Sequence, residues 1–346
     1  MIKKLLKGIV LLAVAVMLFA AWVAYDIQQF MHTKLVLSDE GAIVKVDHGS
    51  NLTRIAYQLK KQGVIDNPRY LIWYARWTTQ ANKIHVGEYQ LTTGMTPQDF
   101  LDSVANGDVI QYSFTLVEGW SFKQVLAALE QNEYIKHTLK GLNQQQVMEQ
   151  LGLKDKHPEG QFLPDTYLFP RDIKDTDVLK RSYNAMQAFL DSNWDTRDVG
   201  LPVNSPYEAL ILASIVEKET GLATERPAIA GVFSRRLIKR MRLQSDPTVI
   251  YGMGDRYKGN IRRRDLREAT PYNTYKIFGL TPTPIAMPGR DAIMAVLRPE
   301  DGNSLYFVAK GDGSHYFSAT LKEHNEAVIQ YQLKGRRRPF SSYKAN

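Results

Sequence analysis

The chain has 346 residues, 44% hydrophobic and 23% charged, which is enough for about two globular domains with buried cores. It contains no cysteine, so disulfides, thiol catalysis and cysteine-ligated metals are excluded. Its net charge of +8 is compatible with nucleic acid, anionic lipid or an acidic polymer as a partner, although most such charges simply form a solvated surface.

The first 25 residues predict a membrane anchor. Residues 8–25 carry no charge, three lysines precede them and Asp26 follows them. The segment has about the minimum length of a membrane-spanning helix, and the positive-inside rule places residues 1–7 in the cytoplasm. We therefore predict a single-pass protein of a bacterial-type inner membrane whose body lies in the periplasm. A cleaved signal peptide is the alternative, but no small-x-small site follows at a suitable distance.

Three segments after the anchor share a pattern, and they align on Gly49, Gly94 and Gly119. Each has alternating apolar residues before the glycine, a capping residue two positions after it and an apolar residue six positions after it. The capping residues are Asn51, Thr96 and Ser121, and the apolar residues are Ile55, Phe100 and Val125. The pattern predicts a strand, a tight turn and an N-capped helix, unless three common motifs coincide by chance.

Residues 40–110 resemble a LysM-like module, and VDHGSNLTRIA is the closest stretch. LysM modules bind polymers of N-acetylglucosamine, so the resemblance implies a small glycan-binding module. We predict a domain boundary near residues 107–111, a larger domain over residues 111–335 and a basic tail over residues 336–346.

The larger domain combines strands and helices without regular alternation. EGQFLPDTYLFP predicts a strand and loop, residues 177–194 an amphipathic helix, and residues 305–320 a hairpin around GDG. A closing helix follows in residues 321–334. This arrangement predicts an α+β fold class, with a transmembrane helix, a LysM-like small module and a larger mixed domain.

A helix is predicted over residues 206–220. Ser205 is a good N-cap, Pro206 suits the first helical position, and Glu208 completes a capping box. Gly221 is a typical residue at which a helix stops.

Helical phase separates the two glutamates at the end of this helix. Glu219 lies on the apolar stripe, one turn beyond Ile215 and two beyond Leu212. Glu217 and Lys218 lie toward the polar side, so we predict that Glu217 is a solvated surface residue.

A carboxyl on an apolar stripe has a raised pKa, because burial disfavours its ionised form and the C-terminal end of a helix adds to the effect. Such a group suits general-acid cleavage of an acetal. The alternative for Glu219 is a buried structural salt bridge with Arg235, Arg236 or Arg242, and the helical phase alone favours neither.

The sequence gives little support for metal-dependent, serine-nucleophile or nucleotide-dependent chemistry. The seven histidines are scattered without H-E-x-x-H spacing, no G-x-S-x-G occurs, and GMGDRYKG lacks the phosphate-loop pattern. We therefore predict neither a metal nor a cofactor.

Two polar and aromatic stretches suit sugar binding instead. RLQSDPTVIYGMG contains Gln244 and Asp246, and TPYNTYKIFGLTPTPIAMPG contains Tyr272, Asn273 and Tyr275. Aromatic rings stack on sugar faces, while amides and carboxylates bind hydroxyls. The alternative is a rigid, proline-rich loop with tyrosines in the core.

Together these stretches resemble the YceG-like family of endolytic murein transglycosylases. The resemblance rests on EGQFLPDTY, LASIVEKETG, MRLQSDPTVIYGMG, ATPYNTYKIFGLTPTPIAMPG and LYFVAKGDGSHYFS, in this order along the chain. One departure is Thr283, where a glycine is expected.

The resemblance implies a membrane-anchored periplasmic enzyme that cuts nascent glycan strands internally and so ends their elongation. It would cleave the MurNAc–GlcNAc β-1,4 bond without water, leave a 1,6-anhydro-MurNAc end and require no cofactor. The family's catalytic glutamate falls on Glu219. The polar and aromatic candidates that would hold the sugar are Gln244, Asp246, Tyr272, Asn273 and Tyr275. Peptidoglycan strands, the inner membrane and peptidoglycan synthases are the expected partners.

Two alternatives remain open. A hydrolytic muramidase would use Asp246 as a second carboxylate, and a non-catalytic peptidoglycan-binding scaffold of the cell-wall synthesis complex would use Glu219 only structurally. Nucleic-acid binding is disfavoured by the export signal. If Glu217 is solvated, Glu217→Gln should cut nearly as well as the wild type.

Overall fold

A computed structural model describes residues 2–336 of the chain. The described residues divide into two compact units, residues 2–112 with 168–172, and residues 113–167 with 173–336. Helices combined with small two-stranded sheets confirm the α+β fold class. The predicted basic tail lies outside the described residues beyond Arg336.

The first unit contains four helices and two strands. In chain order they are α1 (Ile2–His32), β1 (Ala42–Val46), α2 (Leu52–Lys61), α3 (Pro68–Trp77), β2 (Gly87–Leu91) and α4 (Pro97–Asn106). Strands β1 and β2 pair antiparallel, with Ala42 opposite Leu91 and Val46 opposite Gly87. The LysM-like character of this unit stays a prediction.

Helix α1 is longer than the predicted anchor of residues 8–25 and extends beyond both of its ends. It has 31 residues, and an 18-residue window within it has a mean hydropathy of 2.4, so the helix is long and apolar enough to cross a membrane. Its end also belongs to the folded unit, because Met31 is fully buried in the core and Asp26 accepts a hydrogen bond from the Tyr70 hydroxyl at 2.6 Å.

The strand–glycine–helix pattern is confirmed at all three positions. Gly49, Gly94 and Gly119 have positive φ values of 76°, 97° and 74°, which explains why a residue without Cβ stands at each turn. The predicted caps accept hydrogen bonds from the backbone three residues later, and the predicted apolar residues are buried: Asn51, Thr96 and Ser121; Ile55, Phe100 and Val125.

The remaining elements lie in the second unit, apart from one end each of β3 and β5. They are β3 (Tyr112–Leu116), α5 (Phe122–Gln131), β4 (Ile135–Lys136), α6 (Gln144–Gln150), β5 (Asp165–Phe169), β6 (Ile173–Lys174), α7 (Asp175–Trp194), α8 (Pro206–Glu219), α9 (Arg226–Ile238), α10 (Asp246–Met253), α11 (Arg290–Leu297), β7 (Tyr306–Ala309), β8 (His315–Ser318) and α12 (Leu321–Tyr331). Strand β3 pairs with β5, β4 pairs with β6 in parallel, and β7 pairs with β8 as the predicted antiparallel hairpin.

The core of the second unit is built around α8. This helix packs against α9, α10 and α11. Its fully buried side chains include Leu212 and Ile215, which share one apolar cluster with Phe233 of α9 and Ile293 of α11. A helix enclosed in this way can bury polar side chains on more than one face, provided that each finds a partner.

Candidate functional site

Helix α8 begins as predicted and ends differently. The Ser205 hydroxyl accepts the Glu208 N–H, but the Glu208 carboxylate accepts the Asn204 N–H instead of closing a capping box. The helix ends at Glu219 because Thr220 is extended, with φ of −142°. Gly221 follows the C-cap Thr220 and so stands just past the end of the helix as predicted, although it does not have the positive φ common for glycine there.

The predicted solvent exposure of Glu217 is also wrong. Glu217 is buried; its carboxylate pairs with the Arg226 guanidinium at 2.8 Å and accepts the Gly289 N–H at 3.0 Å. Lys218 is exposed as predicted, whereas Ser214, three residues before Glu217, is fully buried. Glu217 lies on the side of α8 that helical phase indicates, but α8 packs against α9 and α11, so this side is not open to solvent.

Glu219 is a half-buried acid at the end of α8. Burial raises its pKa to about 7, and the negative charge of Asp246 acts in the same direction. A hydrogen bond from the Ser245 hydroxyl to Oε1, at 2.5 Å, and the charge of Arg236 act in the opposite direction. Near neutral pH the carboxyl is therefore divided between its acid and base forms, as a group that serves first as acid and then as base requires.

Arg236 does not form the salt bridge that was the alternative for Glu219. Its guanidinium donates to the backbone carbonyls of Leu305 at 2.6 Å and Leu243 at 2.8 Å. Within residues 2–336, no ion pair joins Glu219 to a basic side chain, including Arg235 and Arg242. The carboxyl is consequently not neutralised by a cation in contact with it.

Ser245 is the site residue that sequence reasoning missed. It precedes Asp246 and Pro247 at the start of α10, a position typical of an N-cap, yet its hydroxyl makes no capping bond and turns to Glu219. Its backbone is held by Thr274, whose hydroxyl accepts the Ser245 N–H at 2.9 Å. The Thr248 hydroxyl donates to the Ser245 carbonyl at 2.7 Å. Ser245 itself is almost fully buried.

A cleft of about 510 Å³ opens beside Glu219. One wall carries the predicted sugar-binding residues Gln244, Asp246 and Tyr275, and the other is formed by the β7–β8 hairpin and α12. The Tyr275 hydroxyl donates to Asp246 at 2.7 Å. The structure thus brings three of the five predicted candidates to the same cleft as Glu219, although their contacts with a sugar stay predictions.

Tyr272 and Asn273 do not line this cleft. Tyr272 packs against the Tyr251 ring, with centroids 5.0 Å apart, and its hydroxyl lies 2.8 Å from that of Thr283, the residue that departs from the family pattern. Asn273 is buried, and its amide donates to the Glu268 carbonyl at 2.6 Å and to two neighbouring carbonyls. These donor contacts stabilise the loop before Asn273, and a sugar contact for this residue stays a prediction.

Glu159 is a second buried acid, and it lies outside the cleft lining. Burial raises its pKa to about 7, against hydrogen bonds from the Phe122 N–H at 2.9 Å and the Tyr251 hydroxyl at 3.1 Å. Phe122 is the first residue of α5, so the Glu159 carboxyl accepts a hydrogen bond from the N-terminus of that helix. Of the two acids with this raised pKa, Glu219 lines the cleft and Glu159 does not.

The cleft places the Glu219 carboxyl, whose pKa is about 7, among polar and aromatic side chains. Within residues 2–336, no three histidine, aspartate or glutamate side chains converge as metal ligands would. A single carboxyl with a pKa near neutral can protonate a leaving oxygen and afterwards take up a proton from an attacking hydroxyl.

The known proteins that this chain is similar to are named YceG-like proteins or endolytic murein transglycosylases. The YceG-like family model matches residues 44–330. An endolytic murein transglycosylase of Bacillus subtilis is 33% identical over 308 residues, which cover 83% of this chain and 84% of that protein. A protein of the same name from Streptococcus pneumoniae is 27% identical, and the match covers 58% of its length. The crystal structure of a YceG-like protein from Listeria monocytogenes is 28% identical with a TM-score of 0.52, covering 84% of this chain and 99% of that one.

Proposed function

The chain belongs to the YceG-like family, and from this premise we propose that it is a lytic transglycosylase that cuts peptidoglycan strands internally. The observation that carries the proposal is the Glu219 carboxyl, which has a pKa of about 7 and borders the cleft. The names of the similar proteins supply the substrate class, and the cleft supplies a site beside the Glu219 carboxyl.

In the proposed reaction, protonated Glu219 donates its proton to the oxygen that links MurNAc C1 to the next GlcNAc. The C1–O bond breaks, and the acetamido group of MurNAc supports the positive charge that develops at C1. Ser245 donates to Oε1 of Glu219, which leaves Oε2 to carry the transferred proton. The pKa of about 7 makes the acid available near neutral pH.

In the second step, ionised Glu219 takes the proton from the C6 hydroxyl of the same MurNAc. The oxygen of that hydroxyl bonds to C1 and closes a 1,6-anhydro ring, so no water is consumed and Glu219 is protonated again. A two-carboxylate glycosidase needs a second group to activate water or form a covalent intermediate, whereas this route needs only one acid.

Helix α1 supports a proposal for the cellular location of the chain. We propose that α1 anchors the chain in the inner membrane with its lysine-rich start in the cytoplasm, and that both units lie in the periplasm. There the site would meet strands produced by membrane-bound peptidoglycan synthases, so cutting would end the growth of nascent strands.

The test is digestion of purified peptidoglycan by the full chain in detergent, followed by mass spectrometry of the fragments. We expect 1,6-anhydro ends with no added water, and loss of these products in Glu219→Gln. Glu149→Gln, which changes an exposed glutamate of α6, is the matched control and should cut normally. Products from the Glu219→Gln variant at the wild-type rate would contradict the proposal.

The same digestion distinguishes a hydrolytic muramidase, the second candidate. Asp246 lines the cleft with Glu219, so a second carboxylate is available there. Hydrolysis would leave reducing ends that contain one added water, and Asp246→Asn would abolish them. If neither kind of end appears, the scaffold alternative is favoured.

A further inference from the structure

A buried ion pair holds the last turn of α8. Arg226, the first residue of α9, contacts Oε1 of Glu217 through Nη2 at 2.8 Å, and the Gly289 N–H, just before α11, donates to Oε2 at 3.0 Å. We call Glu217, Arg226 and the Gly289 N–H the clasp. Neither side chain lines the cleft, so the clasp has no direct access to a substrate there.

The clasp is almost completely removed from water. The exposed fractions of the side chains are 5% for Glu217 and 8% for Arg226. Burial of an ion pair adds little to stability compared with apolar residues of similar volume, because both ions lose their hydration. What such a pair does provide is a defined geometry: both carboxylate oxygens of Glu217 are taken, one by α9 and one by the start of α11.

The clasp lies in the same last turn of α8 as Glu219, so its geometry affects the position of that side chain. Glu217 and Glu219 are two residues apart, so their side chains leave the helix about 200° from each other. The clasp therefore holds one side of the last turn, while Ser245 holds the carboxyl on the other side. Because Thr220 is already extended, no following helical turn holds this end in place.

We infer that Glu217 and Arg226 are positioning residues: the clasp holds the last turn of α8 so that the Glu219 carboxyl meets Ser245 at the cleft. This inference rests on the proposed function. It reverses the expectation that Glu217→Gln is harmless, which assumed a solvated side chain.

The first test measures cleavage of soluble, uncrosslinked glycan strands by the full chain in detergent. We expect Glu217→Ala to lower kcat per folded molecule by about 10²-fold with little change in KM, because misplacement of a catalytic group affects the transition state most. The Arg226 guanidinium also contacts Glu118 at 3.2 Å and Asp291 at 3.5 Å. Arg226→Lys should be intermediate, since lysine has no planar fork that can hold several carboxylates at once.

The control for this test is Asp291→Asn. Asp291 also contacts Arg226, at 3.5 Å, but 69% of its side chain is exposed and it does not belong to α8. Exposed ion pairs contribute little, so the kcat of this variant should stay within about twofold of the wild type. A Glu217→Ala variant that melts earlier but keeps the wild-type kcat per folded molecule would overturn the inference.

A double-mutant cycle separates positioning from a general loss of order. If the clasp acts through the contact between Glu219 and Ser245, Glu217→Ala should cost far less in a Ser245→Ala background than in the wild type. The same fold-loss in both backgrounds would mean that the clasp acts independently of that contact, and the inference would be wrong.

A titration of the Glu219 carboxyl, which requires no turnover of substrate, completes the test. The carboxyl carbon signal of Glu219, identified by its absence in Glu219→Gln, can be titrated by NMR. Asp246 and Arg236 act on its pKa, and neither residue is substituted in this variant. Loss of the Glu217 charge, which leaves the Arg226 cation, would by itself lower the midpoint, whereas a loosened Ser245 bond raises it.

The same titration in a Ser245→Ala background gives the charge effect of Glu217→Ala alone. A midpoint shift in the wild-type background that lies above this reference supports the clasp, and an equal shift overturns it. This result does not depend on the reaction catalysed. If Glu219→Gln cleaves as well as the wild type, the proposed function fails, while the titration still decides whether the clasp positions Glu219.

Discussion

Replacement of Ser245 by alanine removes the hydrogen bond that the Glu219 carboxyl receives from its neighbour. The Ser245 hydroxyl donates to Oε1 at 2.5 Å, and the Ser245 backbone is held by Thr274 and Thr248. The bond favours the ionised carboxyl, so its loss raises the pKa of Glu219 above the wild-type value of about 7.

The size of the change follows from the strength of such a bond. A hydrogen bond to a charged group contributes about 1.5–3 kcal/mol, and one pH unit corresponds to about 1.4 kcal/mol. Since Glu219 is half-buried and the cleft admits water, we take the lower end, about one pH unit. The maximal rate should also fall by about tenfold, because the acid is no longer held in one orientation.

The assay is the pH dependence of kcat on soluble glycan strands between pH 5 and 9. In Ser245→Ala we expect the alkaline limb, where the acid form is lost, to move up by about one unit. Ser214→Ala is the matched control, because Ser214 is a fully buried serine of α8 whose hydroxyl bonds to the Ile211 carbonyl and the Ile285 N–H. If both variants keep the wild-type limb, the role assigned to Ser245 is refuted.

Three further predictions concern stability. The raised pKa of Glu159 means that the folded state binds a proton more tightly than the unfolded chain, so stability is lost as pH rises from about 4.5 through 7. Glu159→Gln should therefore reduce the fall in unfolding free energy between pH 5 and 8 by about 2–3 kcal/mol and leave cleavage intact, which a denaturant titration at both pH values can check. Glu219→Gln should reduce the same fall while abolishing cleavage; an unchanged pH dependence would contradict its raised pKa. Asn273→Ala should cost about 2–3 kcal/mol because three carbonyls lose their donor, and a melting temperature equal to that of the wild type would rule this out.

Local sequence determined much of the fold. The positive φ of Gly49, the cap at Asn51 and the buried Ile55 depend on neighbouring residues, so the pattern could be predicted without knowledge of the tertiary structure. The start of α8 at Pro206 is of the same kind. Its end was one residue off and differed in mechanism, because Thr220 takes an extended conformation that Gly221 did not predict.

The properties of the candidate acid Glu219 depend partly on local sequence and partly on tertiary packing. The position of Glu219 on an apolar stripe follows from helical phase alone, and so does the expectation of a raised pKa. Helical phase could not decide between an acid and a salt bridge, because that depends on where Arg236 points. In the tertiary structure its guanidinium is taken up by backbone carbonyls, and Glu219 is left to Ser245 and the cleft.

The α+β class, the apolar N-terminal helix, the capped turns and the different helical phases of Glu217 and Glu219 can be predicted from the amino-acid sequence. The contacts of each glutamate depend on how the helices pack. A helical wheel assumes one solvent-facing side, but α8 is covered by α9, α10 and α11, so Glu217 meets Arg226 instead of water. Likewise, Ser245 stands at a capping position by sequence, and its hydroxyl bonds to Glu219 because the packing of α10 against α8 brings the two side chains together.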